Sequence, residues 1–181
     1  MSIEHRKLEI PEGIEAKIEA DIIIIKGPKG ELTRIYPTKN LKIEKKDNKI
    51  IITPLYRGAR GRALTGTFEA HIKNMIKGVQ EPFIYKLKLC SSHFPMNAKV
   101  EGNEFQLQNF FGEKRPKKMK FPEKVSVKVE KDIIIVESID KELAGKTASD
   151  IEQLTKIRAR DRRIFQDGIY MIEKAGKPIS S

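Results

Sequence analysis

Cysteine and long apolar segments are scarce in this chain of 181 residues. Its single cysteine, Cys90, excludes an internal disulfide and suits a reducing compartment. The longest aliphatic runs, residues 22–25 and 133–136, are far shorter than the roughly 20 apolar residues of a membrane span. Residues 1–7 contain no apolar stretch of the kind found in secretory signals. These absences predict a cytoplasmic protein that does not cross a membrane.

Side chains that catalyse reactions or bind metals are also few. The histidines are His5, His71 and His93, and only His93 lies near Cys90 in sequence. A zinc site needs four ligands, and a nucleophilic cysteine needs a base and an oxyanion site, so neither set is complete. Cys90 ends an alternating stretch, residues 83–90, which is typical of a packing cysteine in a half-buried strand. No metal site is predicted.

Glycine-rich phosphate loops are missing as well. Residues 27–30 and 58–62 contain paired glycines, but the spacing and the following Lys-Ser/Thr of a Walker loop are absent. No Gly-x-Gly-x-x-Gly pattern follows a predicted strand. Since no nucleophile, base and electrophile can be assembled, the sequence predicts a protein that is not an enzyme and needs no cofactor.

Positive charge is abundant. The chain has 36 Lys and Arg against 25 Asp and Glu, a net charge of +11. A membrane surface is the competing partner for such a chain, but it usually requires a basic amphipathic helix or a lipidation signal, and the sequence has neither. The composition therefore favours a nucleic acid as the partner.

The densest cationic cluster has five cations within eight residues and is followed by two aromatic residues, Phe165 and Tyr170. Arginine is weakly hydrated and holds phosphate oxygens in a fork, so a cluster rich in arginine fits contact with a phosphate backbone. The two aromatic rings offer faces on which bases or sugars can stack. The five cations are Lys156, Arg158, Arg160, Arg162 and Arg163.

A second cationic cluster surrounds Pro116 and lies between Phe110-Phe111 and Phe121. Aromatic residues beside cations in a loop suit phosphate contact with stacking. The alternative is that Phe110 and Phe121 are strand ends that pack inward. The cations of this loop are Lys114, Arg115, Lys117, Lys118 and Lys120.

A third cluster, formed by Arg57, Arg60 and Arg62, precedes a predicted helix and is a possible further RNA contact. An isolated basic run is often only a solvated face, and that alternative stays open here. Gly58 and Gly61 would let the backbone approach a phosphate, but they equally permit an irregular turn into the helix.

The order of predicted elements repeats along the chain. Alternating stretches separated by turns precede an amphipathic helix over about 59–77, ending at Gly78, and the same order returns after residue 80. Gly66 and Gly145 occupy matching positions in the two predicted helices, 79 residues apart. The sequence predicts an α+β fold, a tandem duplication of a small antiparallel sheet covered by a helix. Its predicted parts are a first module at 1–80, a second module with RNA-binding loops at 81–174, and a mobile tail at 175–181.

Five motifs in the same order suggest a family. They are GTFEAHIKNMIKG at 66–78, SHFPM at 92–96, NFFGEK at 109–114, DKEL at 140–143 and DRRIFQDGIY at 161–170. Together they resemble the archaeal and eukaryotic form of the L-six family of large-subunit ribosomal proteins, over nearly the whole chain. That family is itself a tandem duplication of an α+β module.

The resemblance implies a non-enzymatic role in translation, as a structural constituent of the ribosome in the cytoplasm. It implies binding to large-subunit ribosomal RNA, chiefly through the second module, near the factor-binding region and the base of the stalk, beside other ribosomal proteins. It also implies loop contacts by Lys114, Arg115, Lys117 and Lys118 and anchoring by the four arginines from 158 to 163, with Phe165 and Tyr170 fixing that segment. The rival interpretation is a free-standing RNA chaperone or an accessory of RNA modification.

Replacing Arg158, Arg160, Arg162 and Arg163 together by glutamine should weaken RNA binding and flatten its dependence on salt, because each phosphate contact releases counterions. The fold should survive, since these positions carry no core pattern. Salt titrations of RNA affinity and circular dichroism check the two parts, and an unfolded variant would contradict the hypothesis.

Overall fold

The computed structural model describes residues 5–56, 58–92, 94–157, 161 and 163–179. The chain divides into two compact units, Met1–Pro82 and Phe83–Ser181, which are called the first and second modules below.

The described residues of the first module form six strands and one helix. The strands form two antiparallel three-stranded sheets, with the orders β1-β6-β5 and β2-β3-β4. The helix, α1, packs on strands of both sheets. In chain order the elements are β1 (Arg6–Glu9), β2 (Glu15–Glu19), β3 (Ile22–Gly27), β4 (Gly30–Ile35), β5 (Leu41–Lys46), β6 (Lys49–Pro54) and α1 (Ala59–Gln80).

The core of the first module lies between α1 and the inner faces of its sheets. Alternate residues of β3 and β6 are fully buried, as a strand with one inward face requires. From α1, Ile72 contributes a fully buried side chain to the same cluster. A small sheet of this kind gains most of its stability from the apolar area that the helix covers.

The second module repeats this plan, and its described residues form two more strands than those of the first. It contains a three-stranded sheet, β10-β9-β8, and a five-stranded sheet, β11-β12-β7-β13-β14. In chain order the elements are β7 (Phe83–Cys90), β8 (Asn97–Glu101), β9 (Glu104–Gln108), a 3-10 turn (Phe110–Gly112), β10 (Lys117–Lys120), β11 (Ser126–Glu130), β12 (Ile133–Ser138), α2 (Lys141–Leu154), β13 (Gly168–Lys174) and β14 (Lys177–Pro178).

The duplication extends to single hydrogen bonds. In the first module, Leu8 of β1 pairs with Ile50 of β6, and in the second, Leu87 of β7 pairs with Ile134 of β12. All four side chains are buried. The amide of Ile10 donates to the carbonyl of Asn48 at 2.9 Å, and the amide of Leu89 donates to the carbonyl of Asp132 at 2.7 Å. The predicted α+β duplication is confirmed, with two small sheets in each copy.

The first helix is longer than the sequence predicts. Gly78, taken as its end, lies inside α1 and is buried. The last turn continues because the β3–β4 turn holds it: the Lys29 amide donates to the Val79 carbonyl at 3.0 Å. A Cβ on Gly27 would lie only 2.7 Å from a methyl carbon of Val79, so glycine permits this close contact. Tertiary packing outweighs the helix-ending tendency of a glycine here.

Part of the predicted mobile tail is paired with the sheet. Ala175 and Gly176 both have positive φ, 52° and 79°, and turn the chain back on itself. Lys177 then pairs with Lys174, and the amide of Ile179 donates to the carbonyl of Ile172 at 2.9 Å. Residues 177–179 thus lie against β13, and the mobility of residues 175–181 stays a prediction.

Substituting Gly61 by alanine should destabilise the first module. A Cβ at this position would overlap the backbone carbonyl oxygen of Tyr56, and overpacking of that kind costs about 1–3 kcal/mol. The gain from a better helix former is at most about 1 kcal/mol, so the clash should dominate. Urea unfolding followed by circular dichroism measures the difference.

Gly66→Ala is the matched control in the same helix. Its Cβ would meet nothing closer than the Arg6 guanidinium at 3.9 Å, so it should leave stability unchanged or raise it by up to about 1 kcal/mol. Equal effects of the two substitutions would show that helix propensity, and not the contact with Tyr56, determines the change in the free energy of unfolding.

Candidate nucleic-acid interface

The loop between β9 and β10 has a tightly turned backbone. Asn109 and Phe111 both adopt left-handed conformations, with φ of 60° and 51°. The Asn109 side-chain amide fixes the turn by donating to the Pro95 carbonyl at 2.9 Å. Beyond the turn, Lys114 and Arg115 are exposed, and no ion pair among the described residues involves either of them. These two cations are thus available to an anion in solution.

The other loop cations are partly engaged within the module. Lys118 donates to Glu104 at 2.9 Å, and this bond holds the pKa of the Glu104 carboxyl below its ordinary value. Lys120 adds attraction to the same carboxylate. Both lysines remain exposed on β10, which is an edge strand, so one carboxylate offsets part of the charge of two cations.

The aromatic residues of this loop pack inward. Phe110 and Phe121 are 3% and 7% exposed and belong to the core of the second module. The prediction that they stack on RNA is wrong, and the alternative, inward-packed strand ends, is right. Lys117 places its ammonium 4.2 Å from the centre of the Phe110 ring, a cation–π contact. Its Nζ also donates to the Leu154 carbonyl at 3.3 Å.

The structure brings the loop and the C-terminal cationic segment together. The rings of Phe111 and Phe165 meet edge to face with centroids 5.8 Å apart. The amino group of Lys117 bonds the last residue of α2, which leads into that segment. A cavity of about 510 Å³ opens between them. It is lined by Phe110, Phe111, Glu113, Lys117, Gln153, Leu154, Lys156 and Ile157.

Lys156 also borders a second cavity of about 340 Å³, together with Tyr170. Two clusters that are some 40 residues apart in sequence thus share one region of the second module. Sequence reasoning named the cations of both clusters but gave no reason for them to meet.

Only part of the C-terminal cluster is described. Arg158, Arg160 and Arg162 lie outside the described residues, whereas Arg163 is described and exposed. The Asp161 carboxylate accepts a hydrogen bond from the Arg163 amide at 2.9 Å and begins a short turn. Tyr170 is 43% exposed, and its hydroxyl donates to the Gln166 carbonyl at 2.8 Å.

A buried carboxylate ties this segment to the sheet. Asp167 is 3% exposed and accepts hydrogen bonds from the amide of Ser92, at 2.7 Å, and from the Ser92 hydroxyl. Ser92 follows β7, so the bonds join the start of β13 to the loop after the central strand. Sequence reasoning missed Asp167, because an acid beside a cationic run looks like a solvated residue until its burial is known.

The end of α2 provides two further contacts for β13. The Thr155 hydroxyl oxygen accepts from the Ile169 amide at 2.9 Å, and a Glu152 carboxylate oxygen accepts from the Met171 amide at 3.1 Å. These side chains fix where the chain re-enters the sheet after the cationic segment.

The third cationic cluster lies at the start of α1 in the first module. Arg60 and Arg62 are exposed, and Arg57 lies outside the described residues. Gly58 precedes the helix with φ of 91°, and no side chain caps it. Gly61 is buried against the backbone of residue 56, so its lack of a side chain serves a close turn into the helix. RNA contact by this cluster stays a prediction.

Other kinds of site receive no support from the described residues. No three His, Cys, Asp or Glu side chains among them form a group that could hold a metal ion. Cys90 is a partly buried free thiol in β7, and His93 lies outside the described residues. None of the helices described is both long enough and apolar enough to cross a membrane.

Comparison with known proteins identifies the family. The family model "Ribosomal protein L6" matches residues 10–82 and 94–168, one segment in each module. The chain belongs to the ribosomal protein L6 family. A relative named large ribosomal subunit protein uL6 from Nanoarchaeum equitans is 45% identical and aligns with 96% of this chain and 94% of its own. Proteins of the same name from Methanothrix thermoacetophila and Aeropyrum pernix are each 43% identical and cover 93% of this chain, and 96% and 93% of their own lengths.

Membership in this family confirms several predictions. The chain is a ribosomal protein and not an enzyme, and its place is in the cytoplasmic ribosome. The resemblance drawn from the five sequence motifs is confirmed as well. The family match does not test which residues contact RNA.

Replacing Asp167 by alanine should destabilise the second module by about 1–3 kcal/mol, because the amide and the hydroxyl of Ser92 would both lose the carboxylate that accepts their hydrogen bonds. Asp161→Ala, in the same segment, removes an exposed acceptor and should cost less than about 1 kcal/mol. Urea unfolding of both variants checks this, and equal losses would contradict the structural role of Asp167.

Proposed function

We propose that this chain is a constituent of the large ribosomal subunit and binds large-subunit ribosomal RNA chiefly through its second module. The name of its relatives, large ribosomal subunit protein, supports the first part. The observation that carries the second part is the meeting of two cationic clusters around the cavity bordered by Lys117 and Lys156.

Charge distribution supports RNA binding by this region. In the first module, several cations are paired with carboxylates: Lys42 with Glu44 at 2.6 Å, and Lys49 with Glu9 at 2.9 Å. The second module has such pairs as well, among them Lys118 with Glu104, but Lys114 and Arg115 belong to no ion pair among the described residues and are exposed beside the joint region of the two clusters. A polyanion that follows this surface gains from every unpaired cation, because each contact releases condensed counterions.

The contact residues of the proposed interface follow from the two clusters. Lys114 and Arg115 reach phosphates from the loop, while Arg163 and Lys156 do so from the C-terminal segment. Arg158, Arg160 and Arg162 belong to the same segment by sequence. Tyr170 and Phe165 keep partly exposed rings, at 43% and 36%, beside these cations. Stacking of a base on an aromatic ring contributes about 1–3 kcal/mol.

The finer location is also proposed. We place the interface near the factor-binding region and the base of the stalk, beside other ribosomal proteins, because the sequence motifs resemble the family that occupies this place. Arg60 and Arg62 of the first module provide a possible further RNA contact.

Affinity for fragments of large-subunit ribosomal RNA, titrated over salt beside a length-matched unrelated duplex, tests the proposal. One fragment should remain bound at salt concentrations that release the unrelated duplex. Equal release of both would reduce the binding to general phosphate attraction and would favour a free-standing RNA chaperone.

Lys114→Gln with Arg115→Gln should weaken binding to the retained fragment about tenfold or more and lower the salt slope by about 2, since two phosphate contacts are lost. The matched control is Lys45→Gln with Lys46→Gln, which removes the same charge from the exposed end of β5 in the first module. An equal loss in the control would show that total charge and not the proposed interface determines affinity.

A further inference from the structure

The first module has an open sheet edge that the second module lacks. Strand β1 ends the sheet β5-β6-β1, and no strand among the described residues pairs with its other side. The matching strand of the second module, β7, lies inside its sheet between β12 and β13. The two copies of the module therefore differ at the same edge.

The backbone groups at this edge can be identified. In an antiparallel pair, the amide and carbonyl of alternate residues point to the same neighbour. The Ile10 amide donates toward β6, to Asn48, so Leu8 and Ile10 use their backbone groups on that side. The amides and carbonyls of Lys7 and Glu9 consequently face the open edge.

The second module shows what such groups bind. Leu89 matches Ile10, because its amide donates to Asp132 as that of Ile10 donates to Asn48. Lys86 and Lys88 then match Lys7 and Glu9. In the second module these two positions pair with Glu173 and Tyr170 of β13. The equivalent backbone groups therefore bind an antiparallel strand.

The helix beside the open edge carries a different charge from its counterpart. Lys73 of α1 stands where α2 has Glu152, the residue that accepts from the Met171 amide of β13. Lys73 donates to Glu69 at 2.7 Å, and Arg6 of β1 bonds the same carboxylate. These two bonds hold the pKa of Glu69 below its ordinary value. Two cations here share one carboxylate, and Lys7 beside them is exposed.

We infer that the open edge of β1 binds an extended segment of a neighbouring protein of the large subunit. The segment runs antiparallel to β1 and carries apolar side chains at alternate positions, as Ile169 and Met171 of β13 do opposite Leu89 and Leu87. It also carries acidic side chains, which complement Arg6, Lys7 and Lys73. This inference rests on the proposed place in the large subunit but not on RNA binding by the second module.

A peptide fits this edge better than RNA does. The edge presents both donors and acceptors, the amides and carbonyls of Lys7 and Glu9. An extended peptide satisfies both kinds of group, and side chains at alternate positions add specificity. A phosphate group offers acceptors to the amides but no donors to the carbonyls, and in RNA the donors are 2′-hydroxyls and base N–H groups, which do not alternate with acceptors at the spacing of a strand as peptide groups do.

Amide hydrogen exchange of the isolated chain and of intact large subunits tests the inference. Exchange is followed in the chain itself, which is cleaved after labelling into fragments short enough to report the amides of Lys7 and Glu9 separately. Both amides should exchange at least about tenfold more slowly in the subunit if a strand covers the edge. The same rate in both states would overturn the inference, because the edge would be open.

Two variants distinguish a strand from RNA. Lys7→Pro removes both the charge and the outward amide of this residue, whereas Lys7→Gln removes the charge but keeps the amide. Neither substitution removes a hydrogen bond between β1 and β6. Retention of each variant in salt-washed subunits is compared, after thermal unfolding of the isolated chains has shown that both are folded.

Lower retention of Lys7→Pro than of Lys7→Gln, with protected amides in the unsubstituted chain, supports a docked strand. Equal losses from both variants would show that the charge of Lys7 and not its outward amide holds the chain in the subunit, and would overturn the inference. Should Lys7→Pro fail to fold, Glu9→Pro, which removes the other outward amide, is compared with Glu9→Gln in the same way. If the chain is missing from large subunits, the inference and the proposed function both fail. Normal retention with unprotected amides overturns only the inference.

Discussion

Every module of this protein depends on the cover that one helix provides for small antiparallel sheets. Sheets of only three strands gain stability when a helix covers their apolar face, and α1 does this for the fully buried isoleucines of β3 and β6. In the second module, the small residues Ala144 and Ala148 let α2 lie close to β7, and a Cβ at Gly145 would come within 3.1 Å of the Tyr85 hydroxyl. The helix then ends where the cationic segment begins, so the same packing positions the proposed RNA interface.

The two modules have kept this architecture while changing the chemistry at matching positions. Tyr85 and Ala148 are buried in the second module, whereas the corresponding positions of the first hold the ion pair of Arg6 and Glu69. The first module thus has a charged network at its sheet edge, and the second has an apolar contact and an additional strand there. A duplicated fold permits such a division of roles, because each copy has its own core.

Much of the fold was predictable because local patterns and tertiary structure agree in it. The alternation of the strands and the three- and four-residue spacing of Phe68, Ile72 and Met75 reflect which faces are buried. The end of α1 was not predictable, since the contact of Val79 with the β3–β4 turn comes from a distant segment. For the site, charge density identified exposed cations such as Arg115 but misjudged Phe110. A phenylalanine beside lysines has the same local sequence whether it faces solvent or core. Its position relative to the folded sheet determines whether the ring is buried.

The position of β13 in its sheet has a consequence for how the protein is made. The first module is complete once its helix has been synthesised, because β1 and α1 both lie before Pro82. In the second module, β7 is synthesised first, but its partner strand β13 begins only at Gly168. During translation, the central strand of that sheet therefore keeps one unpaired edge until the cationic segment has emerged. Vectorial synthesis thus gives the first module time to fold alone and makes closure of the second sheet the last step.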